Sequence, residues 1–296
     1  MTALRVGFRI VIFSHSARRY ANRQSRNTSV AVYHRDLARR VLGGEESPAT
    51  GGRAARSRAR PCVGSERVIL CVRSDSVQHS RANPLPAEIL KISAQSPESS
   101  PVDYAATIIE RGGVVGCPTD TFYGLAADPL NLSAIEQVYR MKGRPEAKAL
   151  PILVGSVEQA VALARNVSEI FLNLAHHFWP GALTIIVEAS QKLPLKVTGN
   201  SGRVALRWAN SPITWALIAA CGGPLTGTSA NLSGFPSCTT AAQLARQLGD
   251  ALPLILDAGD TGGTLASTIV TVKEDQWSIA REGAISEAAI RAALHL

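Results

Sequence analysis

The amino-acid sequence predicts a mixed α/β fold over residues 87–296. In this part, short apolar runs rich in β-branched residues alternate with helical patterns, and Gly, Pro and Asn separate the two kinds of segment. About 210 residues suit one domain. We therefore expect a single twisted, mixed β-sheet flanked by helices, with a ligand site built from the loops at its strand ends.

The predicted strands are short apolar runs, and the predicted helices repeat apolar residues three and four positions apart. One helix starts with Ser133 and Glu136, a pair typical of a capping box, and then places Ile135, Val138 and Tyr139 on one face. The strands are predicted at residues 89–92, 114–117, 151–154, 183–187, 204–207, 225–228, 254–256, 267–272 and 278–281. The helices are predicted at residues 102–111, 133–141, 157–164, 170–177, 213–221, 241–248 and 287–294.

The composition is that of a globular protein, since 46% of the 296 residues are hydrophobic and 18% are charged. No apolar run approaches the ~20 residues that cross a bilayer, so the sequence argues against an integral membrane protein. The five cysteines form no CxxC pair and are odd in number. This pattern disfavours a disulfide framework or a structural zinc site and favours a reducing compartment.

Positive charge is concentrated at the N-terminal end. Residues 1–86 contain 16 Arg, no Lys and 5 acidic residues, a net charge of +11, whereas residues 87–296 carry a net charge of −3. This basic extension shows no sustained helical or strand period, so we expect it to be disordered. Three interpretations stay open: a transit peptide, a basic arm that binds RNA phosphates, and a leader without function. We expect a cytoplasmic location if the extension is inert and an organellar one if it is a transit peptide.

Several common catalytic motifs are absent from the sequence. It has no GxxxxGK[ST] loop, no GxGxxG after a strand, no HExxH and no GxSxG. His176 and His177 are adjacent, so they would lie on different faces of a helix and suit no shared metal. Cys117 ends an apolar strand, and we interpret it as a buried hydrophobic residue rather than a nucleophile. We predict no metal site built from protein residues.

Two polar clusters follow predicted elements of the fold. The first holds several hydrogen-bonding side chains within one loop, and the second is a group of cations. Residues 118–125 read Pro-Thr-Asp-Thr-Phe-Tyr-Gly-Leu and follow a buried strand. Lys142 and Arg144 end a helix at a glycine, with Lys148 close behind. A lysine and an arginine at this spacing suit a polyphosphate or a carboxylate. Each cluster also has an ordinary explanation, a turn or an interaction with the helix dipole.

Two further clusters place hydroxyls and arginines at strand ends. Ser229 and Asn231 are one residue apart in an extended segment, so they should project to the same side. An arginine within an apolar strand is costly to bury unless it meets an anion. The four clusters together therefore predict a shared anionic ligand. The last cluster consists of Arg203 and Arg207, on one sheet face, with Ser267, Thr268 and Arg281.

Three of these motifs closely resemble the YrdC/Sua5 family of threonylcarbamoyl-AMP synthases. They are residues 118–125, the KxR motif (residues 142–144) and the SxN motif (residues 229–231). The resemblance extends from about residue 88 to about residue 290. It implies a twisted mixed sheet with a concave, positively charged face. The expected form is the short YrdC-like one, which has a single domain.

The resemblance implies an enzyme that converts L-threonine, bicarbonate and ATP to L-threonylcarbamoyl-AMP and pyrophosphate. This is the first step in forming N6-threonylcarbamoyladenosine in tRNA, and a separate threonylcarbamoyl transferase complex would receive the product. The implied cofactor is Mg²⁺, bound with ATP mostly by the nucleotide and water. No membrane is implied, and binding of tRNA or double-stranded RNA by this chain stays open.

The resemblance also implies roles for individual residues. Lys142 and Arg144 are the expected catalytic residues, through cationic stabilisation of developing negative charge. The residues expected to bind threonine are Thr121, Arg207, Ser229 and Ser267, with Arg207 on its carboxylate. The residues expected to bind ATP are Arg144, Lys148, Arg203, Asn231, Thr239 and Arg281.

Four positions depart from the family pattern. Lys148 stands where many members have Asn, and Leu153 stands where some long-form members have His. Trp208 follows Arg207 where a smaller apolar residue is usual, and Glu282 replaces a common Pro. The nucleotide contact of Lys148 is therefore less well supported than the others, and no substrate role is carried over to Leu153.

Two other functions compete with the synthase. A concave basic face would bind double-stranded RNA or tRNA without chemistry, although the net charge of −3 over residues 87–296 argues mildly against it. The domain could instead act on carbamoyl phosphate, as in a carbamoyl-transfer maturation protein. The sequence lacks the zinc-finger cysteines and the acylphosphatase-like segment that accompany such a domain.

Overall fold

A computed structural model describes residues 86–295, so the extension predicted at residues 1–86 lies outside this range except for its last residue. No helix in the described range is both long and apolar enough to span a membrane. The strands of this range are β1 (Glu88–Lys91), β2 (Val115–Pro118), β3 (Tyr123–Ala126), β4 (Ile152–Leu153), β5 (Leu183–Glu188), β6 (Arg203–Arg207), β7 (Leu225–Thr226), β8 (Thr228–Ser229), β9 (Leu254–Asp257), β10 (Thr268–Lys273) and β11 (Gln276–Arg281). Its α-helices are α1 (Ser99–Glu110), α2 (Leu132–Lys142), α3 (Val157–Leu163), α4 (Glu169–Phe178), α5 (Pro212–Cys221), α6 (Ala241–Leu248) and α7 (Glu287–Ala293).

The strands form two mixed sheets. The first sheet has the order β1-β9-β2-β3-β8, and the second has the order β11-β10-β5-β6-β4-β7. In the first sheet, β9 runs parallel to β1 and β2, whereas β3 is antiparallel to both of its neighbours. The predicted mixed α/β class is confirmed. The expectation of a single sheet is wrong, because the chain passes from one sheet to the other inside a segment predicted as one strand.

That crossing takes place at Gly227. Strand β7 pairs with β4 in the second sheet, and β8 pairs with β3 in the first. Between them, Gly227 N donates to the carbonyl oxygen of Pro151 at 2.8 Å. A Cβ atom on Gly227 would lie 2.4 Å from Cγ of Leu153, whose side chain is buried. A residue without a side chain therefore allows the chain to change sheets here.

Strand β3 is missing from the sequence prediction, which places residues 118–125 in one loop. In the structure Pro118 pairs with Tyr123 and Val115 pairs with Ala126, so only residues 119–122 form the turn. All four residues of β3 are buried, so the strand lacks the alternation of polar and apolar residues that would have revealed it. The polar turn consequently lies directly at the end of a β-hairpin in the first sheet.

Helix α2 delivers the KxR motif to the site. Its N-cap is Asn131, whose side chain accepts a hydrogen bond from Ala134 N at 3.2 Å. The capping box predicted from Ser133 and Glu136 is therefore wrong, since both residues lie inside the helix. At the other end, Gly143 has φ +56° and terminates the helix in the left-handed region. The chain thus turns back immediately after the lysine of the motif.

Two apolar cores cover the sheets. The larger core packs residues of β3 to β6, such as Leu125 and Leu183, against helices that include α2, α4 and α6. The smaller core packs α1 and α5 against β2 and β9. Cys117 belongs to the smaller core, and burial raises the pKa of its thiol to about 12. This cysteine is a buried apolar residue, as predicted.

We expect Gly227→Ala to lower the free energy of unfolding by about 1–3 kcal/mol, because the added Cβ must displace the buried Leu153 side chain. Urea unfolding followed by circular dichroism measures the change. The matched control is Gly249→Ala, since Gly249 has φ −57° and its Cβ would meet nothing closer than 3.6 Å. The control should leave stability unchanged or raise it by up to about 1 kcal/mol. Equal losses in both variants would contradict the role given to Gly227.

Candidate active site

The polar clusters meet where the hairpin turn of the first sheet approaches the end of β6 in the second. Strand β8 lies beside β3, with Gly124 opposite Ser229, and so brings the SxN motif next to the same hairpin. The residues fall into two groups, one around Arg207 and one around Lys142. The Arg207 group consists of Asp120, Thr121, Thr184, Arg207, Ser267 and Arg281, and the Lys142 group consists of Lys142, Arg144, Ser229 and Asn231.

Arg207 is the centre of its group and is only 7% exposed. Its Nη2 pairs with Asp120 Oδ1 at 2.5 Å, its Nη1 donates to Thr121 Oγ1 at 3.0 Å, and its Nε donates to the carbonyl oxygen of Gly181 at 3.0 Å. Burial lowers the pKa of this guanidinium, and the Asp120 carboxylate opposes that shift. A guanidinium stays charged and has five N–H donors, and these contacts use three of them, so two have no partner within residues 86–295.

Arg281 and two hydroxyls lie beside Arg207. Arg281 Nη2 donates to the carbonyl oxygen of Ser267 at 2.6 Å and lies 3.3 Å from its Oγ. The Ser267 hydroxyl shares a hydrogen bond of 2.9 Å with the buried hydroxyl of Thr184. Burial and then the positive charge of Arg207 lower the pKa of Arg281. Two neighbouring guanidiniums with hydroxyls beside them suit an anion such as a carboxylate.

The turn between β2 and β3 holds its residues in fixed positions. From inside, Thr119 Oγ1 accepts a hydrogen bond from Thr121 N at 3.2 Å. From outside, Thr261 Oγ1 donates to the carbonyl oxygen of Thr121 at 2.9 Å. The chain at Gly263 passes so close to the turn that a Cβ there would lie 1.5 Å from the same oxygen. Asp120 and Thr121 are therefore held against Arg207 by the backbone on either side of them.

The ammonium of Lys142 is buried against the SxN motif, with the residue only 2% exposed. Its Nζ donates to the carbonyl oxygen of Ser229, to that of Asn231 at 2.7 Å, and to Asn231 Oδ1 at 3.3 Å. Burial, with a smaller contribution from the positive charge of Arg144, lowers the pKa of Lys142 to about 8. The lysine consequently fixes the backbone of residues 229–231.

Ser229 and Asn231 contact each other, in agreement with the prediction that they project to the same side. Ser229 Oγ donates to Asn231 Oδ1 at 2.6 Å. The side-chain nitrogen Nδ2 of Asn231 donates to the carbonyl oxygens of Leu232 at 2.8 Å and Phe235 at 2.7 Å. The side chain of Asn231 thereby holds the loop that follows the motif.

Arg144 is bound to the backbone of its own loop. Its Nε donates to the carbonyl oxygen of Lys148 at 3.2 Å, and its Nη2 donates to that of Ala149 at 2.8 Å. Burial lowers the pKa of this guanidinium. The Tyr139 hydroxyl lies 3.0 Å from the carbonyl oxygens of both Lys148 and Lys196, which anchors the loop. Lys148 itself is exposed.

Two residues predicted to bind the nucleotide, Thr239 and Arg203, lie at different distances from Arg207 and the turn beside it. Thr239 is connected to that turn, because Thr261 N donates to its carbonyl oxygen at 2.9 Å while the Thr261 hydroxyl binds Thr121. Arg203 is exposed at the start of β6, opposite Glu188, and its contact within the described part of the chain is a backbone one to Ser201 Oγ. The structure therefore brings Thr239 toward the site but leaves Arg203 about 13 Å along the strand from Arg207.

The sequence did not identify two residues that help to form the Arg207 group, Thr184 and Gly181. Thr184 is a hydroxyl inside an apolar strand and only 2% exposed, and that mismatch between residue type and burial was the available signal. Gly181 contributes a backbone carbonyl, for which a sequence carries no signal. Asp120 was part of a recognised cluster, but its pairing with Arg207 depends on the approach of two sheets.

The positions that depart from the family pattern have distinct surroundings. Leu153 packs in the core against Gly227. Trp208 packs against the larger core, and its Nε1 is a buried donor without a partner among the described residues. Glu282 accepts a hydrogen bond from Glu287 N at 3.0 Å, in an exposed turn.

These features define a mixed α/β protein in which the buried Arg207, with Arg281 beside it, lies where two sheets meet. The model of the Sua5/YciO/YrdC family, which carries the description "telomere recombination", matches residues 107–283. The match covers more than half of the chain. The chain therefore belongs to the Sua5/YciO/YrdC family.

Curated relatives and a solved structure agree with this membership. The threonylcarbamoyl-AMP synthase of Bacillus subtilis is 36% identical over 191 residues, which are 64% of this chain and 55% of that protein. The enzyme of the same name from Vibrio parahaemolyticus is 36% identical over 177 residues, which are 59% of this chain and 95% of that protein. The crystal structure of Pyrococcus abyssi Sua5 complexed with L-threonine has a TM-score of 0.68 at 32% identity, and the match covers 70% of this chain and 61% of that one. This chain thus spans little more than half of the Bacillus and Pyrococcus proteins.

The lowered pKa of Lys142 predicts that this residue's contribution to the free energy of unfolding depends on pH. Its ordinary pKa is 10.5, whereas the folded chain releases this proton near pH 8. Between these values the unfolded chain binds more protons, so the stability of the folded chain rises with pH. We expect the difference in free energy of unfolding between the unaltered chain and Lys142→Met to grow by up to about 3 kcal/mol from pH 8 to pH 10.5.

Denaturant unfolding across this pH range measures the difference. The matched control is Lys196→Met, because Glu136 raises the pKa of Lys196. That control removes a stabilising charge whose contribution is present below the ordinary lysine pKa and is lost as pH rises further. Its difference should therefore stay nearly constant from pH 8 to pH 10.5 and shrink only at higher pH. Parallel pH curves for the unaltered chain and Lys142→Met would contradict the account of the buried lysine.

Proposed function

We propose that this chain is an L-threonylcarbamoyladenylate synthase, a nucleotidyltransferase that converts L-threonine, bicarbonate and ATP to L-threonylcarbamoyl-AMP and pyrophosphate. The observation that carries the proposal is the buried Arg207 guanidinium, which keeps two N–H donors for a ligand beside the hydroxyl of Thr121. Support comes from relatives named threonylcarbamoyl-AMP synthase and from the Pyrococcus Sua5 structure with L-threonine.

We assign the Arg207 group to L-threonine, together with Ser229 from the Lys142 group. A guanidinium binds a carboxylate through two parallel charge-assisted hydrogen bonds, which matches the number of donors that Arg207 keeps. The hydroxyls of Thr121, Ser229 and Ser267 can each donate and accept, so they suit the hydroxyl and amino groups of the amino acid. Arg281 adds a second positive charge near the carboxylate.

We assign ATP to Arg144 and Asn231 of the Lys142 group and to the cations around them, among which Arg281 lies between the two groups of ligands. Arg144 binds two carbonyl oxygens of its own loop and can exchange them for phosphate oxygens, with which a guanidinium forms stronger bonds. Arg203 lies at the opposite end of β6 from Arg207, so it can reach only a part of the nucleotide that lies away from the threonine site. The complete proposed nucleotide set is Arg144, Lys148, Arg203, Asn231, Thr239 and Arg281.

The reaction needs no nucleophile from the protein. The threonine amine forms a C–N bond to the carbon of bicarbonate with loss of water, which gives a carbamate. A carbamate oxygen then attacks the α-phosphorus of ATP, and the bond to pyrophosphate breaks. Arg144 offsets the negative charge that grows on the phosphate oxygens. Lys142 acts indirectly. Its ammonium fixes the backbone of the SxN motif and adds positive potential at the site.

Magnesium enters this proposal with the nucleotide. No group of three or more His, Cys, Asp or Glu within residues 86–295 is placed to hold a metal ion. Asp120, a carboxylate at the site, is paired with Arg207. These residues do not fit a metal held by the protein alone. We propose that Mg²⁺ is held by the phosphates of ATP and by water, and no step is assigned to it.

The proposed product is a mixed anhydride, which a separate threonylcarbamoyl transferase complex would have to accept for transfer to tRNA. This first step does not require the chain to bind tRNA. We propose a cytoplasmic, reducing location, in keeping with five cysteines that form no CxxC pair. If residues 1–86 are a transit peptide, the location is an organelle.

Release of pyrophosphate tests the proposed function. The chain is incubated with ATP and bicarbonate, with and without L-threonine, and L-serine replaces threonine in the matched control. We expect release that requires threonine and is roughly 10-fold or more slower with serine, because a missing methyl group in a fitted pocket costs about 1–3 kcal/mol. No threonine-dependent release from a folded chain would overturn the proposal. The RNA-binding function would then be favoured, and a salt titration of tRNA binding would examine it.

We expect Arg144→Ala to lower kcat/KM for pyrophosphate release by roughly 10- to 100-fold, because a charge-assisted contact to phosphate is lost. Steady-state kinetics with varied ATP measures the change, and circular dichroism checks that the fold is intact. The matched control is Arg140→Ala, an exposed arginine one turn earlier on α2, which should retain the activity of the unaltered chain. Near-normal activity of Arg144→Ala would remove Arg144 from the proposed nucleotide site.

A further inference from the structure

We propose that Asp120 is the positioning residue of the threonine site and that it acts through Arg207. The inference rests on the proposed function and adds a residue to which the family resemblance gave no role. In this account Asp120 does not bind the substrate. It holds the Arg207 guanidinium in one orientation, so that the two remaining N–H donors stay available for the carboxylate.

The geometry supports a holding role. Asp120 and Thr121 are consecutive residues of one turn, and both bind the same guanidinium, at Nη2 and Nη1 respectively. The carbonyl oxygen of Gly181 binds Nε. Contacts at all three nitrogens prevent the planar group from rotating or swinging away. The bond to Asp120 is the one of these three in which the donor and the acceptor are both charged, and it is therefore the strongest.

The charges around Arg207 support the same role. Arg281 lies close enough to Arg207 that the positive charge of Arg207 lowers its pKa. The side chains of Arg207 and Asp120 are only 9% and 16% exposed, so water and salt screen them weakly. Without the Asp120 carboxylate, Arg207 would be repelled by Arg281 and held only by two neutral oxygens. Loss of Asp120 should therefore displace the guanidinium rather than free it for the substrate.

Direct contact with the substrate is the competing role for Asp120, since its carboxylate could pair with the ammonium of threonine. The two roles differ in one measurable respect. A residue that acts only through Arg207 loses its effect once Arg207 is removed, whereas a residue that touches substrate keeps it. A double-mutant cycle therefore separates them.

The experiment measures pyrophosphate release by the full chain with threonine varied at saturating ATP, and with ATP varied at saturating threonine. We expect Asp120→Ala to raise KM for threonine roughly 10- to 100-fold and to leave kcat and KM for ATP within about threefold, because binding of the carboxylate is lost equally in the ground and transition states. Asp120→Asn keeps an acceptor for Nη2 without the charge, so its KM should rise by a smaller factor. Adding Asp120→Ala to Arg207→Ala should change kcat/KM by less than about twofold.

The outcomes are distinct. A full additional loss when Asp120→Ala is added to Arg207→Ala would overturn the inference in favour of direct contact. An unchanged threonine KM in both Asp120 variants, from a chain whose release depends on threonine, would overturn the inference alone. Absence of threonine-dependent release from the unaltered chain would overturn the proposed function itself. Asp103→Ala, which removes an exposed carboxylate on α1, is the matched control and should retain the original KM. If Asp120→Ala fails to fold, Asp120→Asn decides.

Discussion

The burial of the Arg207 guanidinium is the constraint on which the rest of the site depends. A cation this far from water must find oxygen partners, and the fold supplies them from the hairpin turn of the first sheet and from the loop before β5. Because Arg207 lies on β6 of the second sheet, its ion pair with Asp120 also joins the two sheets at the site. These contacts leave two N–H donors of Arg207 without a partner among the described residues, the number that a bidentate pair with a carboxylate uses.

The second buried cation meets the same requirement with backbone oxygens. Lys142 binds the carbonyls of Ser229 and Asn231, and those carbonyls are in reach because the chain crosses between sheets at Gly227 just before β8. The glycine, the SxN motif and the lysine therefore form one arrangement. Arg144 binds carbonyl oxygens as well, but it lies nearer the surface than Lys142.

The fold class was predictable from the sequence because apolar spacing marks helices and most strands independently of their partners. Strand β3 was not, since all four of its residues are buried and the pattern carries no alternation. The crossing at Gly227 depends on contact with Leu153, which is remote in sequence.

Most residues of the candidate site could be picked out by type, as cations and hydroxyls at strand ends. Their connections could not, because Lys142, Arg144 and Arg281 bind backbone carbonyls, which a sequence does not distinguish. The substrate roles of these residues stay predictions.

Binding of L-threonine compared with L-threoninol, which lacks the carboxylate, tests the central claim most directly. Calorimetry on the unaltered chain and on Arg207→Ala gives the four affinities. The account predicts that the unaltered chain prefers threonine by roughly 10- to 100-fold and that Arg207→Ala loses this preference, because one charge-assisted pair is removed in each case. Equal affinity of the unaltered chain for the two ligands, or a preference that persists in Arg207→Ala, would contradict it.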